Sequence, residues 1–217
     1  MEELVRKIFY QHEGHMRWGV VQEQEKEVVI DLGCGHSKTR GIWGLDILVG
    51  VHPDIVSDLE LGLPFKDNSV DCIYANHVLE HVKDLERVLS EIHRVLKPGG
   101  RFRVFVPHFS NPFGHSDYTH RRLFGAFTFY YFIPSHPKKS WRTVPNYNSD
   151  LRFEMTYERL RFYSPFRPLL PLVIFLELLV NTNQFVRNPY EYHFCYWFPI
   201  YGIQVELCSI GKDEMQG

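Results

Sequence analysis

A glycine-rich turn directly after an apolar run is the sharpest chemical signal in this sequence. Residues 28–35 read VVIDLGCG, so Asp31, Gly33 and Gly35 lie at the end of a short strand of buried type. Glycines at this point let the backbone turn tightly, and they let a ligand lie against main-chain N–H groups with no Cβ in the way. In an open parallel sheet, ligands bind at the carboxyl ends of the strands, where the strand order reverses. The turn therefore predicts a ligand site at the end of the first strand.

Two further acidic residues end the next two predicted strands. Asp46 lies in GLDI and Asp58 in SDLE. A carboxylate at Asp46 can accept two hydrogen bonds from a ribose diol, and Asp58 is placed to reach an adenine amino group. Three carboxylates would repel a pyrophosphate, and the third glycine of GxGxxG is missing, which argues against NAD. The alternative is local: Asp46 would cap a turn and Asp58 a helix.

A histidine-rich stretch, PHFSNPFGHSDYTHRR at 107–122, follows the fifth predicted strand. His108 comes directly after that strand, and His115, Asp117 and His120 follow closely. One interpretation is acid/base chemistry, in which a histidine oriented by Asp117 removes a proton from a substrate hydroxyl. A second is a metal site, although the H-x-D-x-x-H spacing matches no strong metal signature and we predict none. The third is structural, with histidines that cap turns or contact a substrate without transferring a proton.

Alternating strands and helices must position these residues, and the pattern predicts an α/β fold. The apolar stripe of residues 84–96 predicts a helix that ends before KPGG at 97–100. We expect a doubly wound, mostly parallel seven-stranded sheet with an antiparallel C-terminal edge hairpin. The predicted strands are 27–32, 42–47, 54–57, 70–75, 101–106, 151–163 and 201–210. We expect one domain over 1–217, with a cofactor-binding half at 26–108 and an acceptor-covering region at 109–200.

Charge and cysteine content indicate the environment. The net charge of -2 gives no overall argument for nucleic acid, and we expect no nucleic-acid partner. Residues 101–170, however, hold 11 Lys and Arg against 4 Asp and Glu. This excess suits an anionic substrate, a polyanion or a membrane surface, and the alternative is a solvated face. The four cysteines show no CxxC spacing, and the N-terminus lacks the apolar core of a signal peptide. We therefore expect reduced thiols and a cytoplasmic protein.

The most apolar stretch is PLLPLVIFLELLV at 168–180, which is too short to span a bilayer. A buried helix is the favoured interpretation. The alternative is a helix at a membrane interface, beside the basic segment, and hence peripheral membrane contact.

Taken in order, VVIDLGCG, GLDI, SDLELGLPFKDNSVDCIYANHVLEHV and LKPGGRFRVFVPH resemble the class I S-adenosylmethionine-dependent methyltransferases, in particular the type 11 group. The resemblance covers residues 26–108 and implies a Rossmann-like methyltransferase fold and S-adenosylmethionine as cofactor. It also implies roles for individual residues. Asp31, Gly33 and Gly35 would flank the methionine moiety of the cofactor, and Asp46 would bind the ribose hydroxyls. Ile47, Asp58 and Leu59 would lie at the adenine. Asn76 and His77 would border the sulfonium and the acceptor.

One departure concerns the spacing of the first two carboxylates. Asp46 follows Asp31 by only fifteen residues, against about twenty in dinucleotide folds, so the intervening segment is too short for a full crossover helix. A subset of the family that resembles enzymes of polysaccharide biosynthesis is similar here, and its members also resemble this sequence at DYTH, 117–120. The resemblance thus implies methyl transfer to an oxygen or nitrogen of a small molecule, with a saccharide or glycolipid-type acceptor slightly favoured. The basic segment suggests that the acceptor bears phosphate, and the apolar run 169–180 leaves room for a lipid tail. An RNA or protein methyltransferase, or a non-catalytic cofactor-binding protein, is the alternative.

Overall fold

The computed structural model describes residues 9–12, 15–18, 27–39, 41–134, 144–145, 147 and 151–211. Two short strands, β1 (Phe9–His12) and β2 (His15–Trp18), form an antiparallel hairpin. A seven-stranded sheet follows, with the order β5-β4-β3-β6-β7-β9-β8. Its strands are β3 (Val29–Leu32), β4 (Trp43–Asp46), β5 (Ile55–Val56), β6 (Val70–Asn76), β7 (Leu96–Pro107), β8 (Phe153–Phe162) and β9 (Ile200–Ser209).

The direction of the strands confirms the predicted α/β fold. Strands β3 to β7 pair in parallel, whereas β9 is antiparallel to both β7 and β8. From β3 the chain moves outward to β5 and then returns to place β6 on the other side of β3. The strand order therefore reverses between β3 and β6, and this is where ligands bind in open α/β sheets. The seven-stranded, mostly parallel sheet with an antiparallel C-terminal edge is as predicted.

Strand β3 has the burial expected of a central parallel strand. All four of its residues, VIDL, are buried. Its neighbour β6 is buried at Cys72, Ile73, Tyr74 and Ala75, and Leu32 pairs with Ala75. Parallel strands covered on both faces have near-continuous apolar runs, so the sequence at this point already specifies a central position. The two strand ends that form the site are consequently held by the most buried part of the sheet.

Four α-helices accompany the sheet in the described residues: α1 (Leu85–Val95), α2 (Pro112–Ser116), α3 (Leu170–Val180) and α4 (Gln184–His193). Helix α1 is the predicted one. It begins at Leu85 because the Asp84 side chain caps it, accepting a 3.0 Å hydrogen bond from the Arg87 amide. His81 lies in a turn that precedes this helix. Strand β7 begins at Leu96, earlier than predicted, because Leu96 pairs with Val70.

Helix α3 departs from the favoured prediction of a buried helix. Its side chains are largely exposed, and only Val180 is buried. Because the helix is apolar on every side, packing one side against the sheet leaves the other sides in solvent. The exposed apolar side chains are Leu170, Leu172, Ile174, Phe175, Leu178 and Leu179. The buried interpretation is therefore wrong, and in the described part of the chain no helix is long and apolar enough to cross a membrane.

Candidate active site

The bend after β3 uses two glycines for different reasons. Gly33 and Gly35 have φ of +58° and +54°, in the left-handed region that favours glycine. A Cβ on Gly33 would lie 2.4 Å from Val78 Cγ2, so packing also excludes a side chain there. A Cβ on Gly35 would meet no atom within 4 Å. The backbone at Gly35 therefore faces open space, as the predicted ligand site requires.

A cavity of about 480 Å³ lies at the ends of β4 and β5, and we call it the β4–β5 cavity. Its volume falls within the range of small-molecule sites, roughly 300 to 1,000 Å³. Five further residues predicted to hold a cofactor line it together with Gly33: Asp46, Ile47, Asp58, Leu59 and His77. The fold thus brings together side chains from the ends of three parallel strands.

The carboxylates of this region also hold local turns. Asp46 accepts 2.9 Å hydrogen bonds from the amides of Gly35 and Leu48, and Asp58 accepts one of 2.9 Å from the Glu60 amide. Both capping roles that the sequence left open are therefore present. A carboxylate offers about four lone-pair positions, so each retains acceptor capacity toward a ligand.

Asp31 lies deeper than the other two carboxylates. It is buried, and its Oδ2 is 3.4 Å from the Thr39 hydroxyl and 3.5 Å from the Thr39 amide. These contacts fix the loop that carries Gly35. Asp31 is not among the residues that line the β4–β5 cavity, so its position favours shaping the bend.

A second cavity, of about 560 Å³, lies on the other side of the β3–β6 reversal, and we call it the insert cavity. Gly33, Gly35, Asn76 and His77 line it from the strand ends, together with residues of the segment that follows β7. That segment contributes Asn111, Phe113, Gly114, Asp117 and His120, and the C-terminal hairpin adds Tyr163 and Tyr201. Both cavities share Gly33, His77 and His81, so ligands in the two cavities would lie next to each other.

His77 is held in an unusual backbone conformation at this shared wall. Its φ is +57°, which is uncommon for a residue other than glycine. The His77 amide donates a 2.9 Å hydrogen bond to the Phe105 carbonyl, and its ring lies 5.0 Å from the Phe105 ring, centroid to centroid. Its Nδ1 is 3.2 Å from Glu80 Oε1. Strained residues that are held in this way concentrate at functional sites.

His108 lies apart from the insert cavity. Its ring is buried, with Nδ1 accepting a 3.1 Å hydrogen bond from the Ser110 amide and Nε2 3.0 Å from Glu191 Oε1. Because Nδ1 accepts, the proton of the neutral ring is on Nε2 and is donated to Glu191. Burial lowers the pKa of His108, although Glu191 opposes the shift. The geometry favours a structural role, since Glu191 also accepts a 2.8 Å hydrogen bond from the Ala126 amide.

Asp117 and His120 do meet in the insert cavity. His120 Nε2 is 3.7 Å from Asp117 Oδ2, beyond hydrogen-bonding distance, so Asp117 does not orient the ring directly. Hydrogen bonds from the hydroxyl and the amide of Thr119 lower the pKa of Asp117. The ring of His120 is oriented instead by the Gly114 carbonyl, which lies 2.7 Å from Nδ1.

The insert cavity also contains residues that the sequence did not assign to the site, among them Glu80 and His81. Glu80 is fully buried and His81 partly buried, and both line the cavity. Both lie in ANHVLEHV at 75–82, where the sequence alone leaves His77 and His81 as alternative candidates for the acid/base role. They lie close to His120, about forty residues later in the sequence, so no local pattern identifies this group of three.

Comparison with known proteins agrees with this geometry. Residues 30–104 match the family described as "Methyltransferase domain". A solved S-adenosylmethionine-dependent methyltransferase from Archaeoglobus fulgidus superposes with a TM-score of 0.55 at 15% identity, covering 84% of this chain and 86% of that one. The chain therefore has the Rossmann-like methyltransferase fold. Residues 30–104 are thus similar to a methyltransferase domain, the kind of domain for which the sequence predicts S-adenosylmethionine as cofactor.

Curated relatives match part of this chain. A sterol 24-C-methyltransferase of Gibberella zeae is 44% identical over 61 residues, 28% of this chain and 16% of that protein. A ubiquinone/menaquinone biosynthesis C-methyltransferase of Klebsiella pneumoniae is 50% identical over 81 residues, 37% of this chain and 30% of that protein. The chain thus spans less than a third of the length of either relative.

Proposed function

We propose that this protein transfers a methyl group from S-adenosylmethionine to an oxygen or nitrogen of a small-molecule acceptor bound in the insert cavity. The observation that carries the proposal is the shared wall of Gly33, His77 and His81 between two cavities of suitable size. One cavity carries the strand-end carboxylates, and the other is formed largely by the segment after β7. Residues 109–200 would then cover the acceptor.

The residues present fit the cofactor. Asp46 would bind the ribose hydroxyls, and Asp58 with Leu59 and the exposed Ile47 would contact the adenine. The open space before Gly35 suits an amino-acid tail lying against main-chain amides. S-adenosylmethionine supplies an electrophilic methyl group on a sulfonium. The remaining task of the protein is to orient the acceptor and exclude water, which contributes much of the rate in such reactions.

Asn76, His77, Asp117 and His120 would contact the acceptor, since all four line the insert cavity. His120 directs the Nδ1 proton toward the Gly114 carbonyl, which leaves a lone pair on Nε2. Such a lone pair can take a proton from an acceptor hydroxyl or bind a cation. His108, buried between Ser110 and Glu191, is left out of this contact.

We further propose that the acceptor carries an apolar portion, as a glycolipid would. Pro165 lines the insert cavity, and the next residue, Phe166, begins an exposed apolar surface that continues along helix α3. The two relatives described above are named for sterol and quinone chemistry, which supports an apolar acceptor and lends no support to a saccharide.

The same surface favours peripheral membrane contact. Within 164–199, the exposed charged side chain is Arg167, whereas Arg187 and Glu191 are buried. Glu177 is paired with Arg159 and Arg161 at 3.1 and 2.8 Å. An apolar surface with an exposed cation and internally paired acids suits an anionic lipid surface.

The experiment is methyl transfer from radiolabelled S-adenosylmethionine to a panel of glycolipids, free saccharides, RNA and protein. We expect label in the organic-extractable product. Label in RNA or protein would overturn the proposed acceptor class. Tight cofactor binding with no labelled product across the panel would support a non-catalytic protein instead.

A further inference from the structure

Glu80, His81 and His120 present metal-ligating atoms at the wall of the insert cavity. Each residue offers one ligating atom, and these three atoms all lie within 4.8 Å of one another. All three residues line the cavity. Two imidazoles and one carboxylate form a common ligand set for divalent first-row transition metals, and such a set leaves coordination positions open.

Hydrogen bonds fix both imidazole rings in the form that binds a metal. The Thr119 hydroxyl donates to Asp117 Oδ1 at 2.6 Å, so its oxygen is left to accept from His81 Nδ1 at 2.9 Å. His120 Nδ1 donates to the Gly114 carbonyl at 2.7 Å. Each ring therefore carries its proton on Nδ1 and a lone pair on Nε2. Metal-binding histidines are typically oriented by such a hydrogen bond from the other ring nitrogen.

Glu80 supplies the independent observation that points to a ligand. Its side chain is fully buried, and Oε1 lies 3.2 Å from His77 Nδ1. Its other oxygen, Oε2, is buried without a hydrogen-bond partner among the described residues. An unsatisfied carboxylate oxygen in the interior is costly and rare in native proteins. A bound cation would satisfy it.

The backbone holds the three ligands in place before any metal binds. The Arg121 amide donates a 2.7 Å hydrogen bond to the Glu80 carbonyl, which fixes His120 beside Glu80. Arg122 Nη2 donates to the Lys83 carbonyl, also at 2.7 Å. The rings of His81 and His120 meet edge to face with centroids 4.8 Å apart. The segment after β7 is thus docked on the turn after β6 by the residues that flank the ligands.

We propose that Glu80, His81 and His120 bind a divalent first-row transition metal such as Zn²⁺, with the open coordination positions facing the insert cavity. The use of this metal rests on the proposed methyl transfer. A bound Zn²⁺ lowers the pKa of a coordinated water to about 7, far below that of bulk water, and a coordinated acceptor hydroxyl responds in the same direction. The hydroxyl proton leaves to solvent, and the oxygen forms a bond to the methyl carbon. The carbon–sulfur bond breaks with its electron pair on sulfur, giving S-adenosylhomocysteine.

The test is a Co²⁺ titration of the full chain after removal of metals with a chelator, followed by visible absorption spectroscopy. We expect ligand-field bands that saturate at one Co²⁺ per chain and are abolished by competing Zn²⁺. Glu80→Gln and His120→Ala should each weaken binding at least about tenfold. His193→Ala, which removes an exposed histidine of α4 far from the cluster in sequence, should leave binding unchanged.

A parallel titration with S-adenosylhomocysteine separates this inference from the proposed function. Cofactor product binding without saturable Co²⁺ binding would overturn the metal site and leave the methyltransferase proposal standing. Co²⁺ binding without binding of S-adenosylhomocysteine would overturn the methyltransferase proposal and leave the metal site standing. Equal Co²⁺ affinity in wild type and Glu80→Gln would also overturn the site. If His120→Ala fails to fold by circular dichroism, the wild-type stoichiometry and the Glu80→Gln result decide the question.

Discussion

The backbone amide of Gly35 donates a 2.9 Å hydrogen bond to the carboxylate of Asp46. This contact joins the glycine bend after β3 to the end of β4, so the two parts of the predicted cofactor site are held together. The connection between Asp31 and Asp46 is only fifteen residues, and the structure spans it with a short 3-10 helix and a turn in place of a crossover helix. The short spacing is therefore compatible with a formed site.

Asp46→Asn should weaken binding of S-adenosylhomocysteine about 10-fold to 100-fold. The substitution removes the charge from an acceptor placed for the ribose hydroxyls, and hydrogen bonds to charged groups contribute roughly 1.5–3 kcal/mol. Isothermal titration calorimetry measures the change. Asp67→Asn is the matched control, because Asp67 forms an exposed ion pair with Arg94 at 2.6 Å. Equal affinity in the two variants would remove Asp46 from the site.

Gly33→Ala should destabilise the protein more than Gly35→Ala. Both residues have positive φ, which costs an alanine about 1–2 kcal/mol, but only at Gly33 does the new methyl group meet Val78. Overpacking of this kind adds about 1–3 kcal/mol. Urea unfolding measures both free energies. In a Val78→Ala background, Gly33→Ala should lower the free energy of unfolding by less than it does in the wild type. An equal decrease in both backgrounds would contradict the clash.

Stability should fall as the pH decreases below about 6.5, partly because of His108. Burial lowers the pKa of His108 in the folded state, so below the unfolded pKa the unfolded chain binds more protons and is favoured. Urea unfolding at pH 7.5 and pH 5.5 measures the difference. His108→Gln should reduce the loss between these two values. An identical pH dependence in wild type and variant would show that His108 titrates normally when folded.

Replacing two exposed residues of helix α3, Phe175→Asp with Leu178→Asp, should reduce binding to vesicles of phosphatidylcholine and phosphatidylglycerol more than tenfold. Each side chain would otherwise contribute roughly 1.5–3 kcal/mol on entering an apolar phase. Flotation measures the bound fraction, and Leu61→Asp, at an exposed position beyond β5, is the control. Unchanged flotation of the double variant would exclude α3 as the contact surface.

The sheet and the residues around the β4–β5 cavity were predictable because their signals are local. The apolar run before Gly33 and the acidic residues at strand ends specify both the strands and the edge where they meet. Asp46, Ile47, Asp58 and Leu59 lie around one cavity as the sequence predicts. The roles assigned to them individually remain predictions.

Other features depend on contacts between distant segments. Hydropathy gives the composition of α3 but not the depth at which it packs, so the buried interpretation failed. The position of His108 depends on Glu191, which is eighty-three residues later in the sequence. Its carboxylate hydrogen-bonds the buried His108 ring, which therefore lies outside the insert cavity. The cluster of Glu80, His81 and His120 exists only because the segment after β7 docks on the turn after β6.

Calorimetric titration with S-adenosylhomocysteine tests the central claim most directly. We predict one site per chain, competition by S-adenosylmethionine but not by NAD, and loss of affinity in Asp46→Asn with little change in Asp67→Asn. A cooperatively folded chain that produces no saturable heat with S-adenosylhomocysteine would contradict the account.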